Sequence, residues 1–341
     1  MNEMRKVLFV TALLIFALIF GSGTNHAQVS ARLGTFKEFQ VGVLRSDGSL
    51  VPFVEYRHGL WWNPWPQPAQ IIYNNEVIPK SLSNHPEPWF QKCNESASPW
   101  YFWSSIGTRT VLNAQKLTQV DGHGDRIWAV MTDYPAKRKD EIGAHHTNIG
   151  FALNIDLKLE AMIDIEKESA EAKGIVAHIK SAFINLESAD VARIAAEPAT
   201  SLSLLARGFP FSKDERAKIA LNLVKLTRSK TVIDGRRLYY FIVEKQYSRP
   251  ESQRDWQCYN VAELSGWILK GKDGNLSIVN EYFWITDCDR KGGGAVTSSS
   301  IFRLKDRTFV FTAEHDYDSE SYLISELTEY GLDPLLETHG G

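Results

Sequence analysis

Tryptophan offers the clearest chemistry in this sequence, and it is unevenly placed: Trp61, Trp62, Trp65, Trp89, Trp100 and Trp103 are six of the 10 in the chain. An indole ring on a loop can stack on the flat C–H face of a sugar, and loops on rigid scaffolds are where recognition residues concentrate. The same rings bury a large apolar area when they cap a core. Trp61, Trp62, Trp65, Trp100 and Trp103 are therefore the candidate ligand-binding residues, with a glycan as the implied partner and core packing as the competing use.

Carboxylates come second. Glu55, Asp133, Glu244, Glu281, Asp287 and Glu314 fall at the ends of strand-like runs. Two of them about 5 to 9 Å apart in a cleft would suit glycoside hydrolysis, one as acid and the other as base or nucleophile. Three functions follow: a non-enzymatic glycan-binding protein first, a carbohydrate-active hydrolase second, and a structural envelope protein with all its tryptophans buried third. No motif specifies a reaction. The chain lacks a Gly-x-Ser-x-Gly elbow and the His-Glu-x-x-His and Cys-x-x-Cys spacings, and Gly292-Gly293-Gly294 precedes no helical pattern. His145-His146 and the loop Asp121 to Asp125 read as ordinary exposed polar residues, and Asp316 to Glu320 as a solvated turn. The expectation is no metal and no cofactor.

The start of the chain implies export. Met1 to Lys6 is a short basic region, Val7 to Phe20 an apolar run, and Gly21-Ser22-Gly23 a small-residue cleavage site, the composition of a signal peptide over 1–23. The run is shorter than the roughly 20 residues that span a bilayer. A periplasmic or extracellular destination without membrane insertion after cleavage follows, and there cysteines oxidise. With 38 basic against 41 acidic side chains, the net charge of −3 is too balanced for a nucleic acid partner. Of Cys93, Cys258 and Cys288, the last two are the expected disulfide. A two-residue turn at Asp273-Gly274 sets Cys258 opposite Asp289, one place from Cys288, whereas Cys93 has no such relation to either.

What must position these residues is a mainly β scaffold. Asp47-Gly48, Asp234-Gly235 and Asp273-Gly274 each separate apolar-rich runs, and Asp-Gly supplies the positive φ of tight hairpin turns. Phe39 to Leu44 returns as Leu50 to Tyr56, and Trp267 to Lys270 as Leu276 to Ile285. Phe151, Leu153, Ile155, Leu157 and Leu159 alternate with polar neighbours as one strand. Ile301 to Leu304, Thr308 to Ala313 and Tyr322 to Leu327 form an antiparallel meander.

One helix is expected near 168–187, from Ile175, Ile179, Phe183 and Leu186. Ser212 to Ser229 reads as a helical turn leading into a strand, with Ser212 and Glu215 as a capping box. The region 61–103 carries so many prolines that it reads as surface loop.

Antiparallel meanders, Asp-Gly turns and two similar Trp-containing pieces, Ile127 to Asp133 and Tyr282 to Asp287, point to a β-propeller, with two packed β domains as the alternative. The stretch Asp47 to Tyr56, with Gly59-Leu60-Trp61 after it, resembles a blade hairpin of repeat-built lectin propellers. That likeness is confined to those residues and implies neither a site nor an activity. The expected organisation is one β-rich domain over 30–341, or alternatively units over 30–166 and 188–341 joined by the helix.

Overall fold

The computed structural model describes residues 38–62, 99–104, 107–121, 126–136, 148–197, 209–210, 212–247, 260–286, 295–315 and 320–339. The expected signal peptide, Trp65, Trp89 and the cysteines, including the Cys258–Cys288 pair, lie outside the described residues.

All three Asp-Gly hairpins form. β1 (Phe39–Arg45) and β2 (Ser49–Arg57) pair antiparallel around Asp47-Gly48, where Gly48 has φ 83° and its N–H donates to the Arg45 carbonyl at 3.0 Å. Asp234 (φ 50°) and Gly235 (φ 81°) make a true two-residue turn closed by the Ile233–Arg236 bridge. β13 (Asn260–Lys270) and β14 (Leu276–Thr286) meet around Asp273-Gly274, but not through the expected two-residue turn. Lys270 pairs with Leu276 across a loop from Gly271 to Asn275, in which the Gly274 N–H donates to the Gly271 carbonyl at 3.0 Å, and a bulge follows at Trp267/Ile268. Only at Asp234-Gly235 does the aspartate itself take a positive φ.

Three antiparallel sheets result, among the described residues. The first holds β1, β2, β3 (Leu60–Trp62), β4 (Trp100–Trp103), β5 (Arg109–Leu112), β6 (Ala114–Asp121), β7 (Arg126–Thr132) and β8 (Asn148–Leu153), in the order β5-β4-β8-β1-β2-β7-β6, with β3 on β2. β5 and β6 stand at opposite edges of this order yet are joined through Asn113 alone. A flat sheet cannot allow that, so the sheet curls into a half-barrel that brings the end of β5 to the start of β6. Asp133 fastens the corner: its carboxylate accepts from the Asn113 N–H at 2.8 Å and from the Asn113 amide at 2.6 Å. Those bonds hold its carboxyl below the usual range against a burial effect that acts upward.

The second sheet runs β18 (Leu332–His339), β17 (Glu320–Leu327), β16 (Arg307–His315), β15 (Ala295–Leu304), β9 (Leu159–Ala161). The third runs β10 (Ile163–Asp164), β11 (Asn222–Arg228), β12 (Arg237–Tyr247), β13, β14. Side-chain alternation stacks them. On β16, Phe309, Phe311 and Ala313 join a core with Phe39, Phe53 and Phe151 of the first sheet, while Val310 joins another with Tyr240 and Trp267 of the third. The second sheet is thus the middle layer. On β12, Leu238, Tyr240 and Ile242 face it, and Tyr239, Phe241 and Val243 face a helix on the far side. A strand apolar on both faces is what a buried layer demands.

That helix, α1 (Ala170–Ala195), starts where Ser169 accepts from the Ala172 N–H at 3.1 Å. It buries the expected Ile175, Ile179 and Phe183 and runs past 187 because Val191 and Ile194 continue the stripe. The helical turn α2 (Lys213–Ala217) precedes β11 as expected, but the Ser212 side chain makes no capping bond. No helix among the described residues is long and apolar enough to cross a membrane.

The mainly β, antiparallel expectation with one substantial helix is what the structure shows. Stacked sheets of eight, five and five strands are not a ring of equal four-stranded blades, so the propeller is not what they build. Two further expectations are corrected. The run Phe151 to Leu159 is broken at Asn154, whose side chain accepts from the Gln40 N–H at 2.6 Å, so its halves join different sheets. The region 61–103 is strand at both ends, in β3 and β4.

Tyr239 ties the helix start to the third sheet. Its hydroxyl donates to the Glu171 carboxylate at 2.8 Å, which also accepts from Arg228 at 2.9 and 3.1 Å. Burial, with Glu171 adding to it, pushes the phenol from 10.0 up to about 12. A folded value above the unfolded one makes this contribution to stability complete below pH 10 and lost as the pH rises through 12. Urea midpoints across that window fall more steeply for the wild type than for Tyr239→Phe.

Candidate functional site

Strand alternation sorts the candidate tryptophans. On β3, Trp61 points inward, with its ring centroid 4.9 Å from Tyr56, 5.7 Å from Phe39 and 5.2 Å from Phe309. Leu60 and Trp62 point outward, 45% and 40% exposed. On β4, Trp100 is fully buried with Leu44, Leu50 and Val130, whereas Trp103 lies half-buried on the other face and donates its indole N–H to the Leu157 carbonyl at 3.1 Å. The five are not gathered on one surface: Trp61 and Trp100 are core, Trp103 is packed and bonded, Trp65 is outside the described residues, and Trp62 offers an open ring.

Trp62 has company that sequence reasoning missed. The register pairs Glu55 with Trp62 and Arg57 with Leu60, so all four side chains share one face of the β2–β3 ladder. The Arg57 guanidinium lies over the indole, 4.7 Å from its centroid. Such a stack holds the ring in place and presents N–H donors beside it. Arg57 is four residues from Trp61 in sequence, and only the hairpin register reveals that it lies beside Trp62.

The candidate acids are dispersed. Glu55 is on the first sheet, Glu314 on the second, and Glu244 and Glu281 on the third; Asp133 is the corner fastener, and Asp287 lies outside the described residues. The Glu314 carboxyl is pushed up by burial and then by Glu337. These two face the same side of the second sheet, since Glu314 pairs with Ser321 and Glu337 with Leu323 on the strand between them. Two strand spacings put their backbones at least about 10 Å apart.

Around Glu314 the second and third sheets enclose further ionisable groups. Lys225 donates to the Val296 carbonyl at 3.0 Å and sits 5.9 Å from the Tyr240 ring centre. The Tyr240 hydroxyl accepts from the Val296 N–H at 3.2 Å. Burial lowers the Lys225 ammonium, with Asp164 opposing. Burial raises the Tyr240 phenol far above its usual value, and Glu314 and Glu263 raise it further while the Val296 N–H acts downward. The cluster has acids, a phenol and an amine, but nothing like a nucleophile aligned to a base. Among the described residues no group of three or more His, Cys, Asp or Glu side chains is placed to hold a metal ion.

One expected surface acid is corrected. Glu320, read as part of a solvated turn, is buried: it accepts from Arg45 at 2.6 Å, from the Tyr322 hydroxyl at 2.6 Å and from the Asn148 amide, tying the first sheet to the second. Residues 316–319 of that turn lie outside the described residues. The polarity of Glu320 concealed its use, because a buried carboxylate is identified by its partners and not by its own type. The chain matches no known protein family, no curated protein and no solved structure.

Proposed function

We propose that this is an exported, non-enzymatic protein that binds a glycan at the outer face of the β2–β3 ladder. One observation carries the reading: Trp62 presents an exposed ring, held by Arg57 and set beside Leu60 and Glu55 on one strand face. A sugar ring stacks on the indole, while Arg57 donates to its hydroxyls. Strand mounting makes the ring rigid, so little conformational entropy is lost on binding.

Intrinsic tryptophan fluorescence during titration with a panel of soluble polysaccharides tests this. At least one polysaccharide shifts the emission to the blue and protects it from acrylamide. Trp62→Ala weakens that binding by about tenfold, as expected for a stacking contact worth ~1.5 kcal/mol. Trp103→Phe leaves it unchanged. If no polysaccharide alters the emission, the glycan reading fails. Expression with the leader in a bacterial host tests export separately, with Thr24 as the first residue of the mature chain.

Glu314 and Glu337 share one face of the second sheet, and this supports a second reading, a hydrolase that uses the two carboxyls as acid and base. New reducing ends in the recovered polysaccharide, lost in Glu314→Gln, would put it ahead of simple binding.

A further inference from the structure

Among the described residues, the third sheet has an edge that is largely uncovered. β10 pairs only with Thr227 and Arg228 of β11, and the Ile165 N–H adds a bond to the Leu226 carbonyl. From Asn222 to Val224, no described strand lies on that side, while β12 holds the other. An open run of backbone donors and acceptors is a template for another strand. Lysines commonly guard such edges, yet Lys225 does not guard this one, because its ammonium is turned inward to the Val296 carbonyl at 3.0 Å.

Beside this edge lies a groove of about 440 Å³, between β11 and the first turns of α1. Its floor is apolar, from Val176, Leu221 and Leu223, and its rim carries Lys167, Lys173 and Lys180 against Glu168 as the one acid lining it. Glu168 is within 3.3 Å of Lys173, with both side chains mostly exposed, a pair worth little in water. The rim is therefore cationic on a chain whose net charge is −3.

We propose that β11 is a docking edge for an extended acidic peptide of a partner protein, which adds as an antiparallel or parallel strand outside Asn222–Val224. Every second side chain of an added strand faces α1. Lys173 and Lys180 are two turns apart, roughly 10 Å along the helix axis. Same-face residues of a strand recur at about 7 Å, so acids two or four residues apart reach both ammonium groups. Apolar residues between them rest on Val176, Leu221 and Leu223. Backbone pairing supplies the affinity, and the lysines select the charge. This site is on the opposite outer layer from Trp62 and does not rest on the glycan reading.

Fluorescence anisotropy of the mature full-length chain with a labelled ten-residue peptide of alternating valine and glutamate tests it. The expected result is saturable binding that weakens with salt, is absent for the valine–lysine peptide, and is at least tenfold weaker for Lys173→Glu/Lys180→Glu. Lys173→Arg/Lys180→Arg retains binding. These lysines are at the surface, and an unchanged urea midpoint shows that the variants fold. N-methylation of alternate peptide amides removes the strand donors without touching the protein, and abolishes binding. Equal binding of the N-methylated peptide would reduce the site to loose charge attraction and overturn strand addition. So would complete displacement by dodecanoate, which would make the groove an amphiphile site, or no binding at all, which would leave the lysines as edge protection.

Discussion

Glu187→Ala lowers the unfolding free energy by about 3–5 kcal/mol, read as a large fall in the urea midpoint. Glu187 sits on α1 with its carboxylate in the interior, accepting from the Lys245 ammonium at 3.0 Å and the Tyr247 hydroxyl at 2.6 Å, with the Arg216 Nε at 3.3 Å. Lys245 also donates to the Arg216 carbonyl at 3.2 Å, and Arg216 to the Pro210 carbonyl at 3.2 Å. Helix, helical turn and sheet thus share one carboxylate. All four side chains are almost wholly buried, so removing the anion leaves two cations in a low-dielectric interior with one negative charge fewer. The loss arises from that imbalance and not from missing volume. Replacing the whole set together, as Glu187→Leu/Lys245→Met/Arg216→Met, recovers most of it, because a buried ionic group and an apolar one of similar size are comparable in stability. A triple variant as unstable as the single one would assign the effect to packing.

Gly266→Ala is the second large effect, about 3 kcal/mol or more. A Cβ built at Gly266 meets the Asn280 carbonyl oxygen at 2.3 Å and the Glu281 Cα at 3.0 Å, both backbone atoms of the paired strand β14. A side chain could rotate away, but a ladder cannot move without breaking its register. Gly266 pairs with Phe241 on one side and Glu281 on the other, next to the bulge at Trp267/Ile268, where β14 is drawn closer. By contrast, a Cβ at Gly174 meets nothing within 4 Å, and Gly174→Ala is tolerated or mildly stabilising in a helix. Comparing the two by thermal melts separates glycine needed for space from glycine that happens to be present.

The parts of the fold legible in the sequence are those fixed by neighbours in the chain. Asp-Gly between apolar runs gave three hairpins, and the spacing of Ile175, Ile179 and Phe183 gave a helix face. The layers were not legible, because the same period-two pattern fits any partner sheet. The two similar Trp-containing pieces show the limit of likeness. Ile127 to Thr132 lies in β7, between β2 and β6, whereas Tyr282 to Thr286 lies in β14, at the edge of another sheet. Phe151 to Leu159 is instructive in the opposite sense. Its apolar residues stay in one core although the strand is cut at Asn154, so the alternation reported a shared face rather than a continuous ladder. At the candidate site, reading the Trp61 to Trp103 region as loop hid the alternation that sends Trp61 in and Trp62 out.

The core beneath the first sheet has a temporal meaning. Phe39, Phe53 and Phe151 are made early in synthesis, but the rings that cover them, Phe302, Phe309, Phe311 and Tyr322, belong to the last strands. β9 likewise waits for β15, well over a hundred residues downstream. Contacts so distant in sequence form late, since the intervening chain must be closed before they reward it. A chain emerging from a ribosome can therefore pair the strands of its first sheet early, but has no way to cover that sheet's inner face until nearly its whole length is available. That delay leaves a band of phenylalanines uncovered in any truncated product, which aggregates unless a chaperone holds it.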